Sequence, residues 1–194
     1  MRYTIFNTPI ISTVLFRTSL FILRLIGWRI EGALPDLPKF IVIGVYHTSN
    51  WDFPLTMLLA FAYRTPIRFM AKDSLFRWPM GPLFRWFGGI LIDRSQAHGV
   101  VAQSIEAFNK AERLVMVIAP EGTRKKVAAW KKGFYHIALG ANVPIQLAFL
   151  DYPRKVGGMG PVIIPTGDME ADMVRIREFY ATITARHPDR ASSP

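Results

Sequence analysis

The stretch Phe40-Ile41-Val42-Ile43-Gly44-Val45-Tyr46-His47-Thr48-Ser49-Asn50-Trp51-Asp52-Phe53-Pro54 decides the fold that this sequence predicts. Its first seven residues are almost all β-branched or aromatic, which is typical of a buried strand. Residues 48–52 are rich in types that begin helices, and Pro54 suits the first turn of a helix that we expect to reach about Tyr63. The stretch therefore predicts a strand, a turn and a helix, with His47 at the carboxyl end of the strand.

Further apolar runs alternate with helical segments along the rest of the chain. The sequence predicts strands at 28–32, 67–71, 90–92, 114–119 and 145–150, an edge strand at 162–164, and helices at 100–111, 133–141 and 168–187. Strands that alternate with helices favour a parallel sheet covered by helices. We therefore expect an α/β fold with a mostly parallel central sheet flanked by helices, preceded by a short N-terminal helical segment at the membrane interface.

Composition narrows the classes of partner. The 194 residues suit one domain, and 24 Lys and Arg against 14 Asp and Glu give a net charge of +10. Such a charge favours nucleic acid, an anionic membrane surface, or a phosphorylated or carrier-bound substrate. The 51% hydrophobic content favours the membrane surface, and no nucleic-acid recognition motif is evident. The absence of Cys excludes disulfides, thiolate metal sites and Cys catalysis.

The N-terminal segment, residues 1–30, is apolar but is interrupted by arginines. Thr13, Arg17 and Arg24 fall on one narrow helical stripe, and the apolar run is too short for a clean membrane span. This pattern favours a helix lying in an anionic membrane interface over a cleaved signal peptide, although packing on the protein's own core remains an alternative. We expect a catalytic domain over residues 31–188, a disordered tail over 189–194, and peripheral or monotopic association with the cytoplasmic face of the cell membrane.

His47 and Asp52 are the candidate catalytic residues. An imidazole exchanges a proton near neutral pH, and a carboxylate can fix its tautomer and stabilise the imidazolium. The pair resembles the base and the orienting carboxylate of a triad without a Ser or Cys nucleophile, so the attacking group is expected to be a hydroxyl of the substrate. A His and an Asp five positions apart are common by chance, and the pair gains weight only from other motifs.

Three later motifs accompany the pair in a fixed order. They are Phe87-Gly88-Gly89-Ile90-Leu91-Ile92-Asp93-Arg94, Pro120-Glu121-Gly122-Thr123-Arg124 and Val143-Pro144-Ile145. Together with His47 and Asp52, this set resembles the glycerolipid acyltransferase family of the 1-acyl-sn-glycerol-3-phosphate acyltransferase type, with its His-X4-Asp motif. The resemblance covers roughly residues 40–150, and the last motif is too short and apolar to be diagnostic.

The resemblance implies an O-acyltransferase that moves a fatty acyl group from acyl-CoA or acyl carrier protein to a lysophospholipid. It further implies acceptor binding by Arg94, Glu121, Gly122, Thr123 and Arg124, where two guanidinium groups would clamp a phosphate. Surface salt bridges are the alternative role for either arginine. No cofactor or metal is expected, and 1-acyl-sn-glycerol-3-phosphate is the leading acceptor. The alternatives are another lyso-lipid such as lyso-ornithine lipid, a non-catalytic lipid-binding protein on the same fold, and a basic nucleic-acid binder.

Overall fold

The computed structural model describes residues 4–71, 76–91, 97–122 and 126–192. Its helices are α1 (Ile11–Leu25), α2 (Asp52–Ala62), α3 (Gly81–Trp86), α4 (Ala97–Lys110), α5 (Gly133–Gly140) and α6 (Met169–Ala181). Its strands are β1 (Arg29–Glu31), β2 (Lys39–Val45), β3 (Ile67–Ala71), β4 (Gly89–Leu91), β5 (Leu114–Ile118), β6 (Ile145–Asp151) and β7 (Val156–Ile163). Most of the predicted elements are present, but α6 ends well before the predicted His187.

The seven strands form one sheet in the order β1-β7-β6-β2-β5-β3-β4. Neighbouring strands are parallel except for β6 and β7. The predicted α/β class with a mostly parallel sheet is therefore confirmed. β2 lies in the middle of the sheet, and its central residue Val42 pairs with Val117 of β5 and Gln146 of β6. The loop that follows β2 is therefore flanked by the loops that follow β5 and β6.

Helices cover both faces of the sheet, which explains why β2 is apolar along nearly its whole length. Ile41 and Ile43 face a cluster that includes residues of α4, α5 and α6. Phe40 and Val42 face the opposite cluster, to which α1, α2 and α3 contribute. A strand buried on both faces has no polar alternation, in agreement with the predicted continuous hydrophobic run.

The prediction of an edge strand at 162–164 is wrong in both length and position. β7 begins at Val156 and lies between β1 and β6, so β1 is the edge strand on that side. Most of β7 was not predicted because it contains several glycines, and glycine is depleted in strands. At Gly158 a Cβ atom would lie 1.9 Å from the carbonyl oxygen of Glu31, so β1 can approach β7 only where that side chain is absent.

The tail predicted to be disordered over residues 189–194 is instead packed through Ser192. Residues Pro188–Arg190 form a 3₁₀ turn, and Ser192 is fully buried. Its hydroxyl accepts from the backbone N–H of Val127 at 2.9 Å, and its carbonyl accepts from the Trp130 indole at 3.0 Å. Specific hydrogen bonds hold this segment, and composition does not reveal them.

Helix α1 packs on the domain through one side only. Ser19 and Leu23 are buried, and α1 contacts α2 along its length. The other side carries exposed apolar residues, namely Ile10, Ile11, Val14, Phe21 and Leu25. Among the described residues, no helix is long and apolar enough to cross a membrane.

Candidate active site

His47 lies just beyond the carboxyl end of β2, as the sequence predicts. The turn after it leads into α2, which begins at Asp52, and Thr48 and Ser49 in the turn are both buried. In parallel α/β sheets this edge is where ligands bind, because the loops from neighbouring strands converge there. The loops after β5 and β6 bring Glu121 and Tyr152 to the same place.

Asp52 is buried, at 2% exposure, and its carboxylate is held from two directions. Oδ2 accepts from the backbone N–H groups of Thr48 at 2.8 Å and Ser49 at 2.7 Å. Oδ1 accepts from the Tyr152 hydroxyl at 2.6 Å. Donors on both oxygens restrict the rotation of the carboxylate. Asp52 is therefore fixed in one orientation before any substrate arrives.

The imidazole of His47 lies against that carboxylate, with Nδ1 3.6 Å from Asp52 Oδ2. The distance exceeds a hydrogen bond, as is common for catalytic pairs that tighten only when substrate binds. The His47 side chain is 33% exposed, whereas that of Asp52 is only 3% exposed. A substrate can thus reach the imidazole from solvent while the carboxylate behind it stays shielded. The structure brings the two predicted catalytic residues together.

Glu121 is the second buried carboxylate beside His47, again at 2% exposure. Its Oε2 accepts from the backbone N–H of His47 at 2.7 Å, and its Oε1 accepts from that of Ser192 at 3.4 Å. Burial raises the pKa of Glu121, the two backbone hydrogen bonds lower it, and the nearby charge of Asp52 raises it further. The carboxylate thus contacts the backbone of the catalytic turn, a contact that the sequence did not predict.

The remaining predicted acceptor-binding residues surround Glu121 in sequence. Gly122 is exposed and has φ +65°, a conformation that a side chain would strain, and a Cβ there would lie 3.3 Å from the Lys131 ammonium nitrogen. Arg94, Thr123 and Arg124 lie outside the described residues. Among the described residues, no group of three or more His, Asp or Glu side chains could hold a metal ion.

A groove of about 380 Å³ is lined in part by Tyr152, whose hydroxyl contacts Asp52. Its lining residues are Ile26, Trp28, Trp51, Leu55, Tyr152, Lys155 and Arg186. The Arg186 guanidinium lies 5.9 Å from the ring centre of Trp51 and 5.7 Å from that of Tyr152. The groove is therefore largely apolar and aromatic, with two cationic groups.

Sequence reasoning missed Tyr152 and Arg186. Tyr152 directly follows β6, and the rule that placed His47 after β2 also applies to it, so its position was a usable signal. Arg186 comes from the segment after α6, which crosses this edge of the sheet. There the backbone N–H of Tyr152 donates to Thr184 O at 3.1 Å, and that of His187 donates to the Thr48 hydroxyl at 3.3 Å. No sequence pattern indicated that crossing.

A buried carboxylate behind a partly exposed imidazole, with no Ser or Cys predicted as nucleophile, suits proton abstraction from a bound hydroxyl group. A sequence profile of the Acyltransferase family matches residues 29–148, which include His47, Asp52 and Glu121. The chain therefore belongs to the acyltransferase family, and both the resemblance inferred from its motifs and the predicted enzyme class are confirmed.

The fold is similar to one solved structure in particular. It is the crystal structure of the 1-acyl-sn-glycerophosphate (LPA) acyltransferase PlsC from Thermotoga maritima, with a TM-score of 0.57 and 18% sequence identity. The match covers 90% of this chain and 82% of that chain. Compared with curated protein sequences, this chain has no significant match.

Proposed function

We propose that this acyltransferase moves a fatty acyl group from an acyl thioester, acyl-CoA or acyl carrier protein, to the free hydroxyl of a lysophospholipid. The leading acceptor is 1-acyl-sn-glycerol-3-phosphate, which would give phosphatidic acid. The observation that carries the proposal is the His47 imidazole, open to solvent on one side and backed by the buried Asp52 carboxylate at 3.6 Å. The fold that it shares with a lysophosphatidic acid acyltransferase supports the choice of acceptor.

In the proposed reaction, His47 removes the proton from the acceptor hydroxyl while the oxygen attacks the thioester carbonyl. The charge of Asp52 stabilises the imidazolium that forms, and the tetrahedral intermediate then collapses by breaking the carbon–sulfur bond. A thiol with a pKa near 8.5 is a good leaving group, so the imidazolium needs only to return its proton to the departing sulfur. The products are an ester and a free thiol, with no acyl-enzyme.

Acceptor binding is assigned to Arg94, Glu121, Gly122, Thr123 and Arg124 by the family resemblance. A guanidinium group is a planar fork of donors that suits a phosphate, which supports the roles of the two arginines. Gly122 leaves room for a ligand to approach the backbone, because it carries no side chain and is exposed. For Glu121, the observed hydrogen bond to the His47 backbone supports an additional role in holding the catalytic turn.

The groove beside the pair supports an amphipathic substrate. Its aromatic and aliphatic walls suit a hydrocarbon chain, and Lys155 and Arg186 suit an anionic group at the rim. Tyr152 forms part of the wall and also contacts Asp52, so the groove adjoins the carboxylate that lies behind His47. This arrangement favours a lipid over a small polar acceptor.

The exposed side of α1 supports association with an anionic membrane surface at the cytoplasmic face. At 100° per residue, five exposed apolar residues, Ile10, Ile11, Val14, Phe21 and Leu25, fall within about 100° of the helix circumference. Arg17 and Arg24 lie along one border of this stripe, and the exposed Leu20 lies beyond them. Such a helix lies in the interface with its arginines towards the headgroups. Flotation with vesicles containing anionic lipid should recover the wild-type protein and much less of a Phe21→Glu variant.

The test of the activity is incubation of the purified protein with mixed acyl-CoA and acyl carrier protein donors and a panel of lyso-lipids, with products identified by mass spectrometry. His47→Ala should abolish product formation, because it removes the imidazole proposed to take the proton from the acceptor hydroxyl. His136→Ala is the matched control, since His136 is exposed on α5 and should leave the rate unchanged. Arg124→Ala should mainly raise KM for a phosphate-bearing acceptor.

Each outcome separates the alternatives. Product from a lyso-lipid without phosphate, such as lyso-ornithine lipid, would keep the acyl transfer and change the acceptor. Vesicle binding with no product from any donor would favour a lipid-binding protein. Wild-type acyl transfer by His47→Ala would overturn the assignment of the base.

A further inference from the structure

Tyr152 contacts the catalytic pair from the groove side, outside every motif that carries the family resemblance. Its hydroxyl donates to Asp52 Oδ1 at 2.6 Å, the shortest of the hydrogen bonds described on this carboxylate. Its ring packs edge-on against Trp28, with ring centres 5.2 Å apart, and Arg186 lies on the ring. The side chain is thus held by its own neighbours while its hydroxyl holds Asp52.

The two oxygens of Asp52 have different tasks. Oδ2 faces His47 and also accepts two backbone N–H groups from the turn, whereas Oδ1 points to Tyr152. Contacts on one oxygen alone leave a carboxylate able to rotate about its Cβ–Cγ bond. A donor on the other oxygen fixes that rotation, and Oδ2 then stays directed at the imidazole.

We propose that Tyr152 is a positioning residue for the acyl transfer reaction, acting through Asp52 to keep Oδ2 in place behind His47. The role rests on the proposed function of the pair, because it matters only if His47 works as a base. Burial raises the pKa of Tyr152, and the hydrogen bond and charge of Asp52 raise it further, while Arg186 lowers it. The phenol therefore remains a donor throughout the neutral pH range.

The test is Tyr152→Phe, which removes one hydroxyl and leaves the ring between Trp28 and Arg186. We expect kcat to fall about tenfold, the size typical of one lost hydrogen bond to a charged group, with KM for donor and acceptor within about twofold of wild type. The unfolding temperature should change little, because the carboxylate keeps its two backbone donors.

Tyr135→Phe is the matched control, because the Tyr135 hydroxyl donates to another buried carboxylate, Asp172 Oδ2, at 2.8 Å. Asp172 also accepts from the backbone N–H of Thr166, beyond the end of β7. The last residue of β7, Ile163, pairs with the first residue of β6, so this site lies towards the sheet edge opposite His47. Tyr135→Phe should cost stability and leave kcat unchanged.

Three results would overturn the proposal. A Tyr152→Phe enzyme with wild-type kcat would show that the hydroxyl is unnecessary. A variant whose defect lies in KM would show that the hydroxyl contacts substrate. A variant that fails to fold would show that the hydroxyl is a structural group. Inactivity of the wild-type enzyme towards every donor and acceptor would instead count against the proposed function.

Discussion

Two buried carboxylates, Asp52 and Glu121, contact the same histidine and differ in which part of it they hold. Asp52 lies behind the imidazole ring of His47, whereas Glu121 accepts from its backbone N–H. Asp52 receives three hydrogen bonds, two of them from its own turn and one from Tyr152. From the described residues, Glu121 receives two hydrogen bonds, both from backbone groups of other segments of the chain.

The two contacts imply different roles, one in the reaction and one in holding the catalytic turn. A carboxylate facing the ring can stabilise the imidazolium as it forms, so its charge acts in the transition state. A carboxylate on the backbone N–H cannot do so directly, but it fixes where the turn lies relative to the loop after β5. Burial raises the pKa of Glu121 and the nearby charge of Asp52 raises it further, so keeping this carboxylate ionised inside the fold costs stability.

Replacing Asp52 by Asn should have the largest effect. The amide oxygen can still accept from Thr48 and Ser49, so the turn keeps its shape, but the negative charge behind His47 is lost. We expect kcat to fall by up to roughly 10⁴-fold, by analogy with the loss of the carboxylate from other His-based catalytic sites. Steady-state kinetics with saturating donor and acceptor measure this change.

Asp172→Asn is the control for this substitution, because Asp172 is equally buried and also accepts from a tyrosine hydroxyl. It should lower stability and leave kcat unchanged. Equal losses of activity in the two variants would show that removing any buried carboxylate damages the enzyme, and the special role of Asp52 would not hold.

Replacing Glu121 by Gln should have a smaller effect that distinguishes two roles. A Gln has one acceptor oxygen for two backbone donors. We expect that oxygen to keep the 2.7 Å hydrogen bond from the His47 N–H and to lose the 3.4 Å hydrogen bond from the Ser192 N–H. If Glu121 holds the turn, kcat falls within about tenfold, the loss expected for one hydrogen bond, and KM is unchanged.

The opposite pattern has a different meaning. If Glu121 binds a hydroxyl of the acceptor, as the family resemblance implies, KM for the lyso-lipid rises while KM for the thioester does not. Glu112→Gln is the matched control, because Glu112 is exposed and lies before β5. It should change neither constant.

The sequence predicted the residues of the candidate site better than it predicted their hydrogen-bond partners. His47 and Asp52 were predictable, because an apolar strand, capping residues and Pro54 together place a histidine at the carboxyl end of a central strand. Glu121 was placed at the same edge by the same rule. Their hydrogen-bond partners were not, because the partners come from segments distant in sequence, such as Tyr152 and Ser192.

The fold shows a related limit. Strong apolar runs predicted β2, β5 and β6 nearly to the residue, since burial on both faces leaves little polar character. β7 was missed over most of its length because its glycines lower strand propensity while permitting close contact with β1. The C-terminal segment was expected to be disordered from its composition, although Ser192 is buried against Trp130.

The smallest expected effect is the pH dependence of stability due to Glu121. Its pKa is raised by burial in the folded protein, so the folded state binds its proton more tightly than the unfolded state. That contribution to stability is complete below the unfolded pKa and is lost as pH rises through the folded pKa. A Gln at this position has no proton to lose, so its contribution to stability does not change with pH. The difference in unfolding temperature, wild type minus Glu121→Gln, should therefore decrease by roughly a few degrees between pH 4 and pH 7.5.

Thermal unfolding of the two proteins at matched ionic strength measures this difference. Glu112→Gln should show no such trend, because that side chain is exposed. A difference that stays constant across the range would mean that the two backbone donors fully compensate the burial of the Glu121 charge. The position of Glu121 on the backbone N–H of His47, rather than its protonation, would then be what sets it apart from the carboxylate behind the imidazole.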